Sequence, residues 1–493
     1  MTERFLNIVN GAPVASGSGH WFDSANPYDG KVWSQIPHCD TADVNAAVAS
    51  AHAAYNTGPW ATMTATQRGK LLRRLGDLIA RDAEKLAQLE VRDNGKLYAE
   101  MLGQVKYLPE YYHYFGGLAD KIEGSVLPTD KPEMFSYTKH EPLGVVVCIT
   151  PWNSPLLLLT WKLAALLAAG NTAVIKPSEI TSAATLAFLA LFKEAGFPDG
   201  VVNSVTGFGH EIGAALVEHP QVAKVAFTGG DATGRAVYQG AAKGLKHVSL
   251  ELGGKSPNII FDDANLDDAV KGAISGIFAA SGQTCIAGSR LLVQRSVYDE
   301  VSERVTAFAA TAQLGDPMQA STQVGPITTR PQRQKVLDYI EIAKNEGARC
   351  LLGGKTPEAA DLAEGWFVEP TIFADVSNDM RIAREEVFGP VLSIIPFEDE
   401  ADAIRIANDT IYGLAAGVWT TSMRRAIRMA DALKAGTVWV NTYRAVSVMA
   451  PFGGMKQSGI GRENGQEAIR EFLQTKCVWL NLADGVPNPF VMR

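Results

Sequence analysis

Cysteine is scarce: 493 residues hold five, at positions 39, 148, 285, 350 and 477, each alone in its neighbourhood. An odd, scattered set makes no disulfide framework and points to a reducing cytoplasm. Ligand spacings such as HExxH or paired CxxC are absent, so no metal is expected, and His38-Cys39-Asp40 reads as a surface cluster without partners. Basic residues do not gather either. The formal charge is −8, with no Lys/Arg block and no aromatic-studded basic stripe, which argues against a nucleic-acid partner. The most apolar run, LLLLTWKLAALLAAG, is broken by Lys162 and is short for a bilayer span; it reads as a buried helix, and no membrane association is expected. The N-terminus shows no basic flank ahead of an apolar core, so no signal peptide is expected.

What is present is ordinary for a soluble globular protein, with 46% hydrophobic and 20% charged residues, and the length calls for two or three domains. From about 40 to 120, apolar positions recur at helical spacing. From Pro142 the rhythm changes. LGVVVCIT, TAVIKP, VVNSVTG, VAKVAFTGG and HVSLELGG are short, mostly β-branched runs separated by helical stretches, as in a doubly wound parallel sheet covered on both faces. A second α/β region follows from about Pro257 through RLLVQRSVYDEVSERV, PVLSIIPF, AAGVWTT and GTVWVNTY. EGSVLPTDKPEMFSYTKHE and QTKCVWLNLADGVPNPFVMR fit neither region; such extended arms add to a sheet edge or to another subunit, and an oligomer is expected.

Ligands of open α/β sheets bind beyond the carboxyl ends of the strands. Pro151-Trp152-Asn153-Ser154-Pro155 follows the first strand, Lys176-Pro177-Ser178-Glu179 the second, Thr228-Gly229-Gly230 the fourth and Glu251-Leu252-Gly253-Gly254 the fifth. Each has a plain alternative. Glycine and proline punctuate any turn, Lys176 could be a solvated loop charge, and Glu251 could complement a helix N-terminus. Gly207-Phe208-Gly209 with Gly213 misses the dinucleotide fingerprint by its last spacing. Cys285, in AASGQTCIAGSR, taken alone favours core packing.

Taken together, PWNSP, KPSE, FTGG, ELGGKSP, GQTCIAGSR, EEVFGPV and PFGGMKQSGIGRE resemble, in order and separation, the NAD(P)-dependent aldehyde dehydrogenase superfamily. The resemblance spans nearly the whole chain. It implies an α/β fold with a Rossmann-type cofactor domain (1–121 and 143–253), a second α/β catalytic domain (254–454) and β oligomerisation arms (122–142 and 469–493). It also implies Cys285 as the thiol nucleophile, and Asn153 with the Cys285 backbone N–H as oxyanion donors. Glu251 becomes the base that activates thiol and water. A base there favours hydrolysis to a free acid over acyl transfer to coenzyme A. Glu463 matches a carboxylate that can relay protons, with a surface salt bridge as the alternative.

For the cofactor the resemblance implies Ile149, Trp152, Lys176, Glu179, Gly209, Phe227, Gly229, Gly230, Thr233, Leu252, Glu386 and Phe388. NAD is favoured over NADP because the Glu179 carboxylate would meet a 2′-phosphate as like charge. Gly230 stands where many relatives carry serine, and Asp231 beside it is expected to face solvent. The aldehyde tunnel is expected to comprise Ser154, Leu158, Trp161, Thr284, Ile286, Arg444, Val446 and Phe452. The substrate expected is an aliphatic or aromatic aldehyde; the alternative is a carboxylate-bearing semialdehyde met by Arg444. A full aromatic cage for a trimethylammonium group is not evident. A cysteine hydrolase would need a histidine base, and none of the eight histidines lies in these motifs. A structural protein on the same scaffold would be expected to lose Cys285 or Glu251. The partners implied are a small-molecule aldehyde and copies of the chain, as a homodimer or homotetramer.

Overall fold

The computed structural model describes residues 2–486 and 488–491. The five expected strands form one sheet, in the order Val202–Ser204, Thr172–Lys176, Val145–Ile149, Val222–Thr228 and His247–Glu251, all parallel. A sixth, Gly459–Ile460, joins antiparallel beside His247–Glu251. It was not anticipated, because two residues carry no readable periodicity. Both faces are covered, as the unbroken apolar runs imply. Val145 and Val147 pack towards helix Thr41–Asn56, while Val146 and Cys148 pack towards helix Pro155–Ala169. That second helix is the LLLLTWKLAALLAAG run, and Lys162 is buried within it.

The chain moves outward in one direction from Val145–Ile149 and returns to add Val222–Thr228 on its other side. The order reverses between these two strands, and a crevice opens beyond their carboxyl ends. Pro151–Pro155 and Gly229–Gly230 flank it.

A second sheet has seven strands: Arg349–Leu352, Thr371–Ala374, Val391–Phe397, Arg290–Gln294, Pro257–Ile260, Ala415–Trp419 and Thr437–Val440. All pairs are parallel except the first. The strands at 349–352 and 371–374 were missed from sequence; each is short and lies towards one edge of the sheet. The two arms pair with each other. Met134–Pro142 runs antiparallel to Leu473–Asn481 over nine residue pairs and takes Val126–Leu127 on its other side. Among the described residues no helix is long and apolar enough to cross a membrane.

Candidate active site

Cys285 follows a tight turn, Ala279–Gly282, in which Ala280, Ser281 and Gly282 all have positive φ (55°, 51° and 70°). Only glycine fits at 282, because a Cβ would lie 2.0 Å from the Gly389 carbonyl oxygen. Two consecutive non-glycine residues in this region store strain of about 1–3 kcal/mol each, so the surroundings must hold them. Ser281 donates its hydroxyl to the Gly325 carbonyl at 2.8 Å, and the buried Gln283 amide bridges the Pro326 carbonyl and the Thr328 N–H. Gly254 lets the backbone close in: a Cβ there would stand 2.5 Å from the Cys285 carbonyl oxygen.

Asn153 comes from the opposite lobe and donates its amide to the Gln283 carbonyl at 3.1 Å, so amide and thiol loop are joined directly. Two cavities meet here. A larger one, about 970 Å³, and a smaller one, about 170 Å³, share Asn153, Leu158 and Cys285 in their walls. Cys285 keeps partial exposure at that junction. Its thiol is nonetheless pushed up to about 12, first by desolvation and then by the Glu386 and Glu251 carboxylates.

Glu251 ends its strand buried, lining the smaller cavity, with both carboxyl oxygens free of partners among the described residues. It complements no helix terminus. Burial, and then the charge of Glu463, hold its carboxyl well above the usual range, with Lys162 and Arg462 opposing. Glu463 is not on the surface. It is buried, and its Oε1 accepts from Lys162 Nζ at 2.5 Å, while Lys162 also donates to Thr228 Oγ1 at 2.6 Å. Lys162 drew attention in the sequence only as an interruption.

Of the cofactor residues expected, Trp152, Gly229, Gly230, Leu252, Glu386 and Phe388 line the smaller cavity. Trp152 and Phe388 meet edge to face at 5.2 Å, and Glu386 accepts from the Gly254 N–H at 3.0 Å, its carboxyl pushed up to about 7 by burial. Gln332 and Lys335 line it too and were not foreseen. Ile149 pairs with Lys176 on the neighbouring strand end. Lys176 is no solvated loop charge; it is buried, donating to the Pro177 carbonyl and to Glu179 at 3.3 Å. Gly209 and Thr233 are exposed in the first turns of helices Gly209–Glu218 and Asp231–Ala242. Phe227 is a core residue under Gly229 rather than a wall of the cavity. Asp231 does not face bulk solvent: it is half-buried and accepts from Tyr412 Oη at 2.8 Å.

All eight expected tunnel residues line the larger cavity. A further wall went unread: Lys96, with Glu100, Gln104, Tyr107 and Tyr111 from helix Tyr98–Leu118. Two tyrosines thereby join the expected Trp161 and Phe452. Tyr107, Tyr111, Trp161 and Phe452 form a chain of rings with successive centroids 5.5, 6.4 and 5.0 Å apart. The i, i+4 spacing of the two tyrosines was the available signal, but core packing produces the same pattern. Arg444 is half-buried and bonded to Glu100 at 3.1 Å, so it is not a free guanidinium. Cys39 is buried rather than at the surface, its thiol pushed up to about 12 by desolvation, while Asp40 caps helix Thr41–Asn56. Among the described residues no group of three His, Cys, Asp or Glu side chains could hold a metal.

The aldehyde dehydrogenase family model matches residues 14–478. This chain belongs to the aldehyde dehydrogenase family. It is 47% identical to a (Z)-2-((N-methylformamido)methylene)-5-hydroxybutyrolactone dehydrogenase of Acinetobacter baylyi, covering all of both chains. It is 46% identical to an aldehyde dehydrogenase of Emericella nidulans, covering 97% of this chain and 95% of that one. Among solved structures it resembles the NAD+ complex of betaine aldehyde dehydrogenase from Staphylococcus aureus (TM-score 0.97, 41% identity, 99% of this chain and 97% of the other). It also resembles the NAD+ complex of an aldehyde dehydrogenase from Bacillus cereus (TM-score 0.95, 45% identity, 98% and 97%). The protein is an NAD(P)-dependent aldehyde oxidoreductase.

The cavity beside Gly229 suits that cofactor. Gly230 leaves open space where a Cβ would stand, and the helix behind it starts with no side-chain cap, so its first N–H groups are free for a phosphate.

Proposed function

We propose that the chain converts an aldehyde to a free carboxylic acid through a covalent adduct on Cys285. The observation that carries this reading is the meeting of two cavities at Cys285 and Asn153, one apolar and large enough for a substituted aldehyde, the other bounded by Gly229, Glu386 and Phe388. NAD bound there would supply the hydride acceptor that oxidation of the adduct needs. The residues that would hold it are Lys176, Glu179, Gly209, Gly229, Gly230, Thr233, Glu386 and Phe388. Glu179 favours NAD over NADP.

Cys285 adds to the carbonyl carbon, and the resulting oxyanion is met by the Cys285 backbone N–H and the amide of Asn153, which holds one N–H on Gln283 and has a second. Glu251 takes the thiol proton and later deprotonates the water that hydrolyses the thioester. Where it rests it faces the Glu463–Lys162 pair, and that pair is a route by which its proton can leave. Scattered free cysteines favour the cytoplasm. The exposed outer edge of strand Leu473–Asn481, with Trp479 and Leu480 exposed, favours a homodimer or homotetramer.

The named substrates of the relatives differ, so none is carried over. The apolar walls suit an aliphatic or aromatic body, and the semialdehyde alternative gains a cation from the unforeseen wall that carries Lys96. Cys285→Ser tests the core reading. NADH formation from aldehydes should fall by at least a thousandfold while NAD binding, read by fluorescence titration, stays within threefold. Undiminished turnover would remove Cys285 from the chemistry.

A further inference from the structure

Lys96 is 3% exposed and lies on the wall of the larger cavity, together with Asn153 and Cys285. Its ammonium donates to Ser154 Oγ at 3.1 Å, and among the described residues no carboxylate stands within 4.0 Å of it. The acids that influence it are engaged elsewhere: Glu100 with Arg444 at 3.1 Å, and Glu90 with the Leu156 N–H at 3.1 Å. A buried cation with donors to spare is unfavourable until an anion joins it, and burial accordingly lowers the Lys96 pKa.

The rest of the wall has the same sign. Its charged side chains are Lys96, Lys271 and Arg444 against Glu100 alone. Lys271 is exposed beside Asp268 and counts for little. The rings of Tyr107, Tyr111, Trp161 and Phe452 would suit a flat apolar body or a quaternary ammonium equally well. The charges separate these two. A cationic substrate would meet Lys96 and Arg444 as like charges, whereas an anionic one supplies what Lys96 lacks.

We propose that Lys96, together with Arg444, forms a carboxylate-recognition site in the larger cavity, so that the preferred aldehyde carries a carboxylate on an apolar body. This deepens the aldehyde-oxidising reading above and rests on it. Glu100 is the counterweight. It holds Arg444 and presents a negative charge to the same space, so an incoming carboxylate competes with it.

The test uses two matched substrate pairs, 4-oxobutanoate with butanal and 4-formylbenzoate with benzaldehyde, plus betaine aldehyde. The value of kcat/KM with NAD is measured for wild type, Lys96→Met, Lys96→Arg and Glu100→Gln. In one pair or both, wild type should favour the carboxylate by at least tenfold. Lys96→Met should cut that ratio at least tenfold, and Lys96→Arg should restore part of it. Glu100→Gln should raise it severalfold, a gain that misfolding does not imitate. Equal ratios in wild type and Lys96→Met for both pairs, or a wild-type preference for betaine aldehyde, would overturn the site. Calorimetric titration with succinate and terephthalate reads the site without turnover. Binding weakened tenfold by Lys96→Met upholds it even if no aldehyde is oxidised, an outcome that would instead sink the reaction assignment; binding indifferent to that change overturns it.

Discussion

The proposed reaction needs Cys285 and Glu251 deprotonated, while their surroundings favour the protonated form of each. Desolvation dominates both shifts: the thiol is pushed up to about 12, and the carboxyl is held well above the usual carboxylate range. Since the working forms of both are deprotonated and both values are raised, kcat/KM is lost as pH falls and should climb into the alkaline range. Lys162 lowers the Glu251 pKa, so Lys162→Met should shift the rising limb to higher pH; a profile that does not move would disconnect the pair from Glu251. Glu251→Gln removes the proposed base, a loss of about 10²–10⁴-fold in rate. Slowed NADH formation in the first turnover as well as in the steady state is expected in stopped-flow traces, and a wild-type steady state would exclude Glu251.

Elements are positioned by acids at helix ends. Helix Pro155–Ala169 begins directly after Ser154, one residue beyond Asn153, and has no side-chain cap of its own. Glu90, from helix Ala83–Asn94, supplies one across space by accepting the Leu156 N–H, and Asp93 does the same for the Ala184 N–H of helix Ala183–Ala195 at 3.3 Å. Burial raises both carboxyls to about 7. For Glu90 the sign is clear. Between the unfolded value near 4.5 and about 7, the unfolded chain is ionised while the folded one stays protonated, so stability falls as pH rises. The loss is on the order of 3 kcal/mol by pH 7–8. Glu90→Gln keeps an acceptor without that liability. Its Tm should exceed wild type at pH 8 and match it near pH 4.5 by scanning calorimetry; the same difference at both values would refute the assignment. None of this was legible in the sequence. EVRDN reads as an ordinary helix end, and a cap from another element leaves no local spacing to find. PWNSP and ELGG stood out as turns at strand ends, whereas GQTC alone favoured core packing, and all three acquired chemical roles only through the resemblance of the whole ordered set. Lys96 and Lys162 were not readable, since a lysine inside or just before a helix gives no sign of which way it turns.

For the whole molecule, the doubly wound sheet was legible from its five apolar runs, and the arms from their failure to fit either lobe. Their pairing with each other was not, because the two strands begin at residues 134 and 473 and nothing along the chain signals that such distant segments join. Strand Leu473–Asn481 leaves its outer edge and the side chains of Trp479 and Leu480 exposed. Trp479→Glu with Leu480→Lys should reduce the proposed homo-oligomer to smaller species by light scattering while leaving the helical circular dichroism intact. An unchanged mass would place the interface elsewhere.

The sixth strand of the first sheet also orders events in time. Gly459–Ile460 closes the edge beside Glu251, the Ser458 carbonyl accepts from the Leu252 N–H at 2.9 Å, and Glu463 arrives against Lys162 a few residues on. A chain made from its N-terminus therefore carries Asn153, Glu251 and Cys285, the proposed amide, base and nucleophile, long before it has the segment that seals them.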